Sequence, residues 1–312
     1  MKTSQPLRID HPRYGSFGTA RTQHSRLWFV NNQTLTEDIL GYLAKYQEKY
    51  NVQLYAFVIQ GSHYHLTARF PNSNRAKFYR DFNARIVEAV KRNVEEYDGG
   101  HLFERRYAEQ ALPEKEDYKH QFFYCALQPV LAGLTQRIGQ YPGYNSVWHA
   151  MRGIDRRCRV IDWSGYKEAK RRGHKPVVQD FTTYYDLKFS RLPGEEGKSQ
   201  KQYHAELLNE LERRRLAEVR KLLKDGHTFM TTEQLKRVRP GSYPVAPKTS
   251  KRNSYRPLML TKSAEARQLY LEFYFSTLVA YKAASKRYLA GDLTVEFPPY
   301  TYPPPRLVPQ PA

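Results

Sequence analysis

His63 and His65 are separated by one residue inside HYHLTARF (63–70), a run that alternates polar and apolar side chains as a half-buried strand does. At that spacing both imidazoles leave the same face, together with Thr67 and Arg69, and both can reach one divalent ion. Two partly exposed surface histidines would share that spacing, so the pair alone leaves both readings open. Downstream, Tyr124 and Gln128 stand four apart in EDYKHQFFYCALQPVLAGL (116–134), which sets a phenol and an amide one turn apart on one helix face. A neutral amide oxygen beside two imidazoles suits Mg2+ or Mn2+ and leaves coordination positions open. Without the histidines, Tyr124 and Gln128 would read as ordinary helix surface. With them, the set suits attack of a tyrosine on a phosphodiester whose oxygens a metal holds. The product would be a phosphotyrosine bond, which keeps the strand activated for rejoining. Tyr118 is the rival nucleophile, but its spacing puts it on a different helix face from Gln128.

These residues need a frame that brings a strand against a later helix. SRLWFV (25–30) reads as a first strand. TLTEDILGYLAKYQEKY (34–50) has helical period, with Thr36 as its cap. VQLYAFVIQ (52–60) reads as a buried strand, joined through Gly61-Ser62 to the histidine strand. Residues 74–94 follow as a basic amphipathic helix, 101–112 as a strand, and 116–134 as a helix as far as Pro129. The order predicts an α+β fold: a ferredoxin-like split β-α-β core with an antiparallel sheet and helices on one face. Residues 1–19 read as a flexible arm, 20–150 as the catalytic domain, and 151–312 as a basic, mostly helical extension. In that extension 192–202 reads as a linker, 203–226 and 263–291 as helices, 239–257 as a separator and the end as a proline-rich tail.

Composition narrows the partner. Fifty-one Lys and Arg against 31 Asp and Glu give a formal charge of +20 over 312 residues. A compact chain tolerates such self-repulsion best beside a polyanion. Twenty-five Tyr and 15 Phe offer faces on which unpaired bases can stack. No stretch approaches the roughly 20 apolar residues of a membrane span, and the N-terminus shows no apolar signal region. Two cysteines make no disulfide framework, which fits a cytoplasmic setting.

The strand VQLYAFVIQ followed by GSHYHL, then LFERRYAE, DYKHQFFYCALQPVLAGL and YPGYNSVW, resembles the REP-associated tyrosine transposases, within the HUH single-tyrosine transposases. Gly61-Ser62 replaces the usual Pro-x before the histidines, Gln128-Pro129 the commoner Asn-Pro, and Tyr144-Asn145-Ser146 the usual Trp-Ser-Ser. The resemblance covers roughly 20–150 and implies an HUH endonuclease fold. It implies Tyr124 as nucleophile, His63, His65 and Gln128 as ligands of Mg2+ or Mn2+, and single-stranded DNA, from hairpin or repeat flanks, as substrate. Arg106 falls on the family's Arg before the catalytic helix; Arg69, Arg105 and Lys119 join it as expected DNA contacts. The chain would work as a monomer or homodimer. A replication-type nickase would share this site, and a silent DNA-binding module would share the fold.

Overall fold

The computed structural model describes residues 6–244 and 257–305. Its core runs β1 (Gly15–Arg21), α1 (Gln33–Tyr50), β2 (Gln53–Gln60), β3 (His63–Arg69), α2 (Arg75–Asn93) and β4 (Ala108–Leu112). The strands lie in the order β2-β3-β1-β4, and every neighbouring pair is antiparallel. That is the ferredoxin-like split β-α-β arrangement, so the α+β expectation holds.

The first strand is not where the apolar run put it. Ser25 ends a short 3-10 turn, Trp28 and Phe29 are buried from the loop after it, and GSFGTAR forms an inner strand instead. Its two glycines look like strand breakers but answer to packing. A Cβ on Gly18 would lie 1.8 Å from Tyr79 Oη, and one on Gly15 would lie 2.5 Å from Tyr118 Oη. Rings press on both faces of β1, and only glycine leaves them room.

The arm expected over 1–19 is also corrected for the described residues from 6 onward. Ile9 and Asp10 are buried, and the Ile9 carbonyl accepts from Arg75 Nη2 at 2.9 Å. Arg75 also pairs with Glu109 at 2.8 Å and Asp10 at 3.7 Å. A buried guanidinium needs such partners, and the N-terminal segment supplies two of them, the Ile9 carbonyl and Asp10.

Helix α1 begins at Gln33 rather than near Thr36. Asn32 caps it by accepting from the Leu35 amide at 2.8 Å, and Thr36 instead donates to the Asn32 carbonyl. The strand expected over 101–112 shortens to β4, leaving 101–107 as a loop.

Both faces of the sheet are covered, where helices on a single face were expected. Leu54, Phe57, Tyr64 and Leu66 pack with α1 and α2 through Leu40, Leu43, Phe78 and Phe82. Phe17, Ala56 and Val58 pack with α3 (Lys115–Ala126), α5 (Val147–Arg152) and α7 (Gln200–Lys224) through Phe122, Phe123, Met151 and Leu207. Between α3 and α5 lies α4 (Gln128–Leu131). The extension therefore begins as part of the core.

The remaining elements are β5 (Arg156–Ile161), α6 (Trp163–Arg171), β6 (Thr182–Leu187), α8 (Thr232–Lys236) and α9 (Ala264–Leu289). Strands β5 and β6 form a two-stranded antiparallel sheet against α1, hidden in a stretch whose basic residues mask its period. A Cβ on Gly41 of α1 would meet the Arg159 carbonyl at 2.1 Å, so this helix has no room there for a side chain. Residues 245–256 of the expected separator and 306–312 of the tail lie outside the described residues. Among the described residues no helix is long and apolar enough to cross a membrane.

Candidate active site

The register of β3 decides what surrounds each histidine. His63 lies opposite Arg21 of β1 and Gln60 of β2, and His65 lies opposite Thr19 and Val58. Period two then sends Phe17, Thr19, Arg21, His63 and His65 to the face that meets α3. The two imidazole rings stand 4.8 Å apart between centroids, edge to face. His65 is buried and stacks on Phe17 at 5.2 Å, and its Nδ1 is 2.7 Å from Thr19 Oγ1. With Nδ1–H donating to that hydroxyl, Nε2 is the atom a metal would take. His63 Nδ1 lies 3.2 Å from Ser62 Oγ.

Tyr124 completes the group from α3. Its ring sits edge-on to His65 at 5.6 Å and to Phe17 at 5.5 Å, yet the residue is 40% exposed. Tyr118, on the same helix, is buried, and its ring meets Tyr55 at 5.1 Å. Burial pushes the Tyr118 phenol well above its ordinary range. The structure thus separates the two tyrosines more sharply than their spacing does.

Gln128 does not share a helix with Tyr124. Helix α3 stops at Ala126, Leu127 leaves helical geometry at φ −88° and ψ 3°, and α4 restarts with Pro129 at its beginning. Gln128 is nonetheless held next to Tyr124, because its Nε2 donates to the Tyr124 carbonyl at 3.3 Å. That bond engages the amide nitrogen, so Oε1 is the atom that a metal would take. Two imidazoles and one amide oxygen are a donor set that suits a divalent ion, so the residues fit the expected Mg2+ or Mn2+. Among the described residues no cluster of three His, Cys, Asp or Glu side chains offers a metal site elsewhere.

His63, His65, Tyr124 and Gln128 line one cleft of about 690 Å3. Arg21 lines it too, a residue the sequence analysis missed. Burial pushes its guanidinium below the ordinary value, while Glu104 and Tyr124 pull it back up. Arg21 and the Tyr124 phenol are therefore electrostatic neighbours. Placing β1 at 15–21 would have found Arg21, since it then shares a face with the histidines across the register.

The expected DNA contacts divide. Arg105 and Arg106 are exposed on the loop before β4, and the charge of Arg105 reaches Arg21. Arg69 is at the far end of β3, where its Nε donates to the Pro12 carbonyl at 2.8 Å. Lys119 pairs with Glu195 at 2.8 Å. None of the four lines the cleft itself.

No family model matches the chain, and no curated protein does. Among solved structures, that of a REP-associated tyrosine transposase bound to a REP hairpin is similar over 56% of this chain and 90% of that one, at 16% identity and a TM-score of 0.40. Strand order and register, rather than that likeness, establish the fold.

Proposed function

We propose that this chain is a metal-dependent single-stranded DNA endonuclease and strand transferase that works through a 5′-phosphotyrosine on Tyr124. The observation that carries the reading is the exposed Tyr124 phenol set against His65 in the cleft that His63, Gln128 and Arg21 also line. A phenol is a weak nucleophile at neutral pH until a positive field supports its anion. Arg21, which lines the same cleft and interacts electrostatically with Tyr124, would offset negative charge developing there in the transition state.

In the forward step Tyr124 Oη bonds to phosphorus as the P–O3′ bond breaks. The electron pair leaves on O3′, which takes a proton to become a free 3′-hydroxyl, and the phenol proton passes to solvent. The downstream strand stays on Tyr124 through its 5′-phosphate. Attack by another 3′-hydroxyl reverses the step, restoring Tyr124 and joining new ends. His63, His65 and Gln128 would hold a divalent ion, with Thr19 orienting His65. Such an ion would supply Lewis-acid stabilisation of the charge that develops on the phosphodiester.

The test is incubation of the full chain with single-stranded DNA from the flanks of its own gene, labelled at either end. The 3′-labelled fragment should remain on the protein and the 5′-labelled fragment should leave with a 3′-hydroxyl. Release of both fragments with no covalent species would show hydrolysis instead.

A further inference from the structure

The cleft extends well past the reacting groups, and that extension is apolar. Phe29, Leu131, Tyr141, Met230, Leu235 and Tyr243 line it. Three of them come from the segment after α7, far from the catalytic residues in sequence. Hydrogen bonds fix that segment to the core: the Met230 amide donates to the Leu134 carbonyl at 3.0 Å, and the Leu27 amide to the Ser242 carbonyl at 2.8 Å. Asn31 Nδ2 donates to the carbonyls of Leu235 and Val238 at 2.9 and 2.8 Å. The C-terminal extension is thus a wall of the cleft.

An apolar wall has no use for a phosphate, but every base has a π-face and apolar surface to hide. One polar group in this lining lacks a partner. Gln60 is 3% exposed, stands across from His63 in the β2–β3 register, and its Nε2 has no hydrogen-bond partner. A buried donor left unsatisfied is costly, and an acceptor brought in by a ligand removes that cost. Base carbonyls and ring nitrogens are such acceptors. The volume, about 690 Å3, lies in the range of small-ligand sites and is too confined for a duplex. At the rim, the Arg26 guanidinium lies 4.2 Å from the Trp28 ring centre and 5.5 Å from that of Tyr243, where a phosphate of the same strand can pass.

We infer that the apolar half of the cleft, walled by residues 230–243, takes one unpaired nucleobase next to the scissile phosphate, with Gln60 Nε2 donating to an acceptor on that base. This inference rests on the proposed nuclease function and adds how its substrate is read. It makes the C-terminal extension a determinant of sequence preference at the cut.

The experiment is an abasic scan. Full-length Tyr124→Phe protein is titrated with a cleavable oligonucleotide in which each nucleotide in turn lacks its base, and wild-type adduct formation is measured on the same set. One or two positions beside the cut should weaken binding roughly 5- to 100-fold, as loss of a stacked base does, and the rest should change it little. Tyr243→Ala, at an exposed residue, should shrink that penalty, and Gln60→Leu should blunt the preference among bases there. If Gln60→Leu does not fold, Tyr243→Ala still decides. A flat scan with normal adduct formation overturns the base slot and leaves the nuclease reading standing, as does a penalty that Tyr243→Ala leaves unchanged. Absence of an adduct with every strand overturns both.

Discussion

Tyr124 and Tyr118 lie six residues apart on one helix, one exposed at the cleft beside His65 and the other buried against Tyr55. A buried phenol cannot reach a phosphodiester without unpacking the face of the sheet that it fills. Burial also makes its anion harder to form. The helix therefore offers the chemistry one tyrosine and the core the other.

Arg21→Gln should slow adduct formation by about 100-fold, the scale of losing one oriented donor to a developing charge. Single-turnover cleavage checks this, with metal affinity measured alongside. Metal affinity should change little, because Arg21 is no ligand. An unaltered cleavage rate would remove Arg21 from the reaction.

His63→Ala and His65→Ala should each abolish cleavage and weaken Mn2+ binding strongly. Gln128→Ala should weaken it less, since a neutral amide is a poorer ligand than an imidazole. Thr19→Val should fall between, by roughly 10- to 100-fold, through the orientation of His65. Calorimetric Mn2+ titration of the four variants reads the order. Cleavage that continues undiminished in excess EDTA would refute the metal role.

Much of this frame is readable without coordinates. The helices over 34–50 and 74–94, the paired strands around Gly61-Ser62 and the shared face of His63 and His65 follow from period and turn chemistry alone. The first strand was hidden because packing, not propensity, set its composition: Gly15 and Gly18 make room for Tyr118 and Tyr79. With that strand misplaced by about ten residues, Arg21 and Thr19 fell outside any reading of the site. The break at Leu127 was half visible in Pro129, whereas the bond that ties Gln128 to the Tyr124 carbonyl depends on a side-chain conformation that spacing does not fix. Nothing local marks residues 230–243 as a wall of the cleft, since their partners lie about a hundred residues or more earlier in the chain.

Affinity for single-stranded DNA should fall with salt at about −0.7 in log–log slope for each phosphate contacted. Arg105→Ala and Arg106→Ala should each flatten that slope, because both residues are exposed and the charge of Arg105 reaches Arg21 in the cleft. Lys119→Ala should leave it nearly unchanged, because Lys119 is paired with Glu195. Fluorescence anisotropy across a salt series separates them, and equal slopes in all three variants would contradict this division.

Stability should carry a small acid-dependent component from α7. Hydrogen bonds from Arg213 and Arg214 hold the Glu210 carboxyl at about 2, below its ordinary 4.5. A carboxyl lowered on folding contributes fully above 4.5 and loses that contribution as pH falls through about 2. The partner Arg213 is solvent-facing, so the amount should be less than about 1 kcal/mol. Urea unfolding of Glu210→Gln against the parent, from pH 7 downward, should show a gap that closes toward pH 2. A gap that widens in acid would reverse the sign.

The most direct measurement is mass spectrometry of the protein–DNA adduct after nuclease and protease digestion. The nucleotide should be found on the peptide at Tyr124, and the Tyr124→Phe protein should give no adduct while still folding and binding the strand. A nucleotide on Tyr118 or on a serine, or an adduct that survives in Tyr124→Phe, would contradict the assignment.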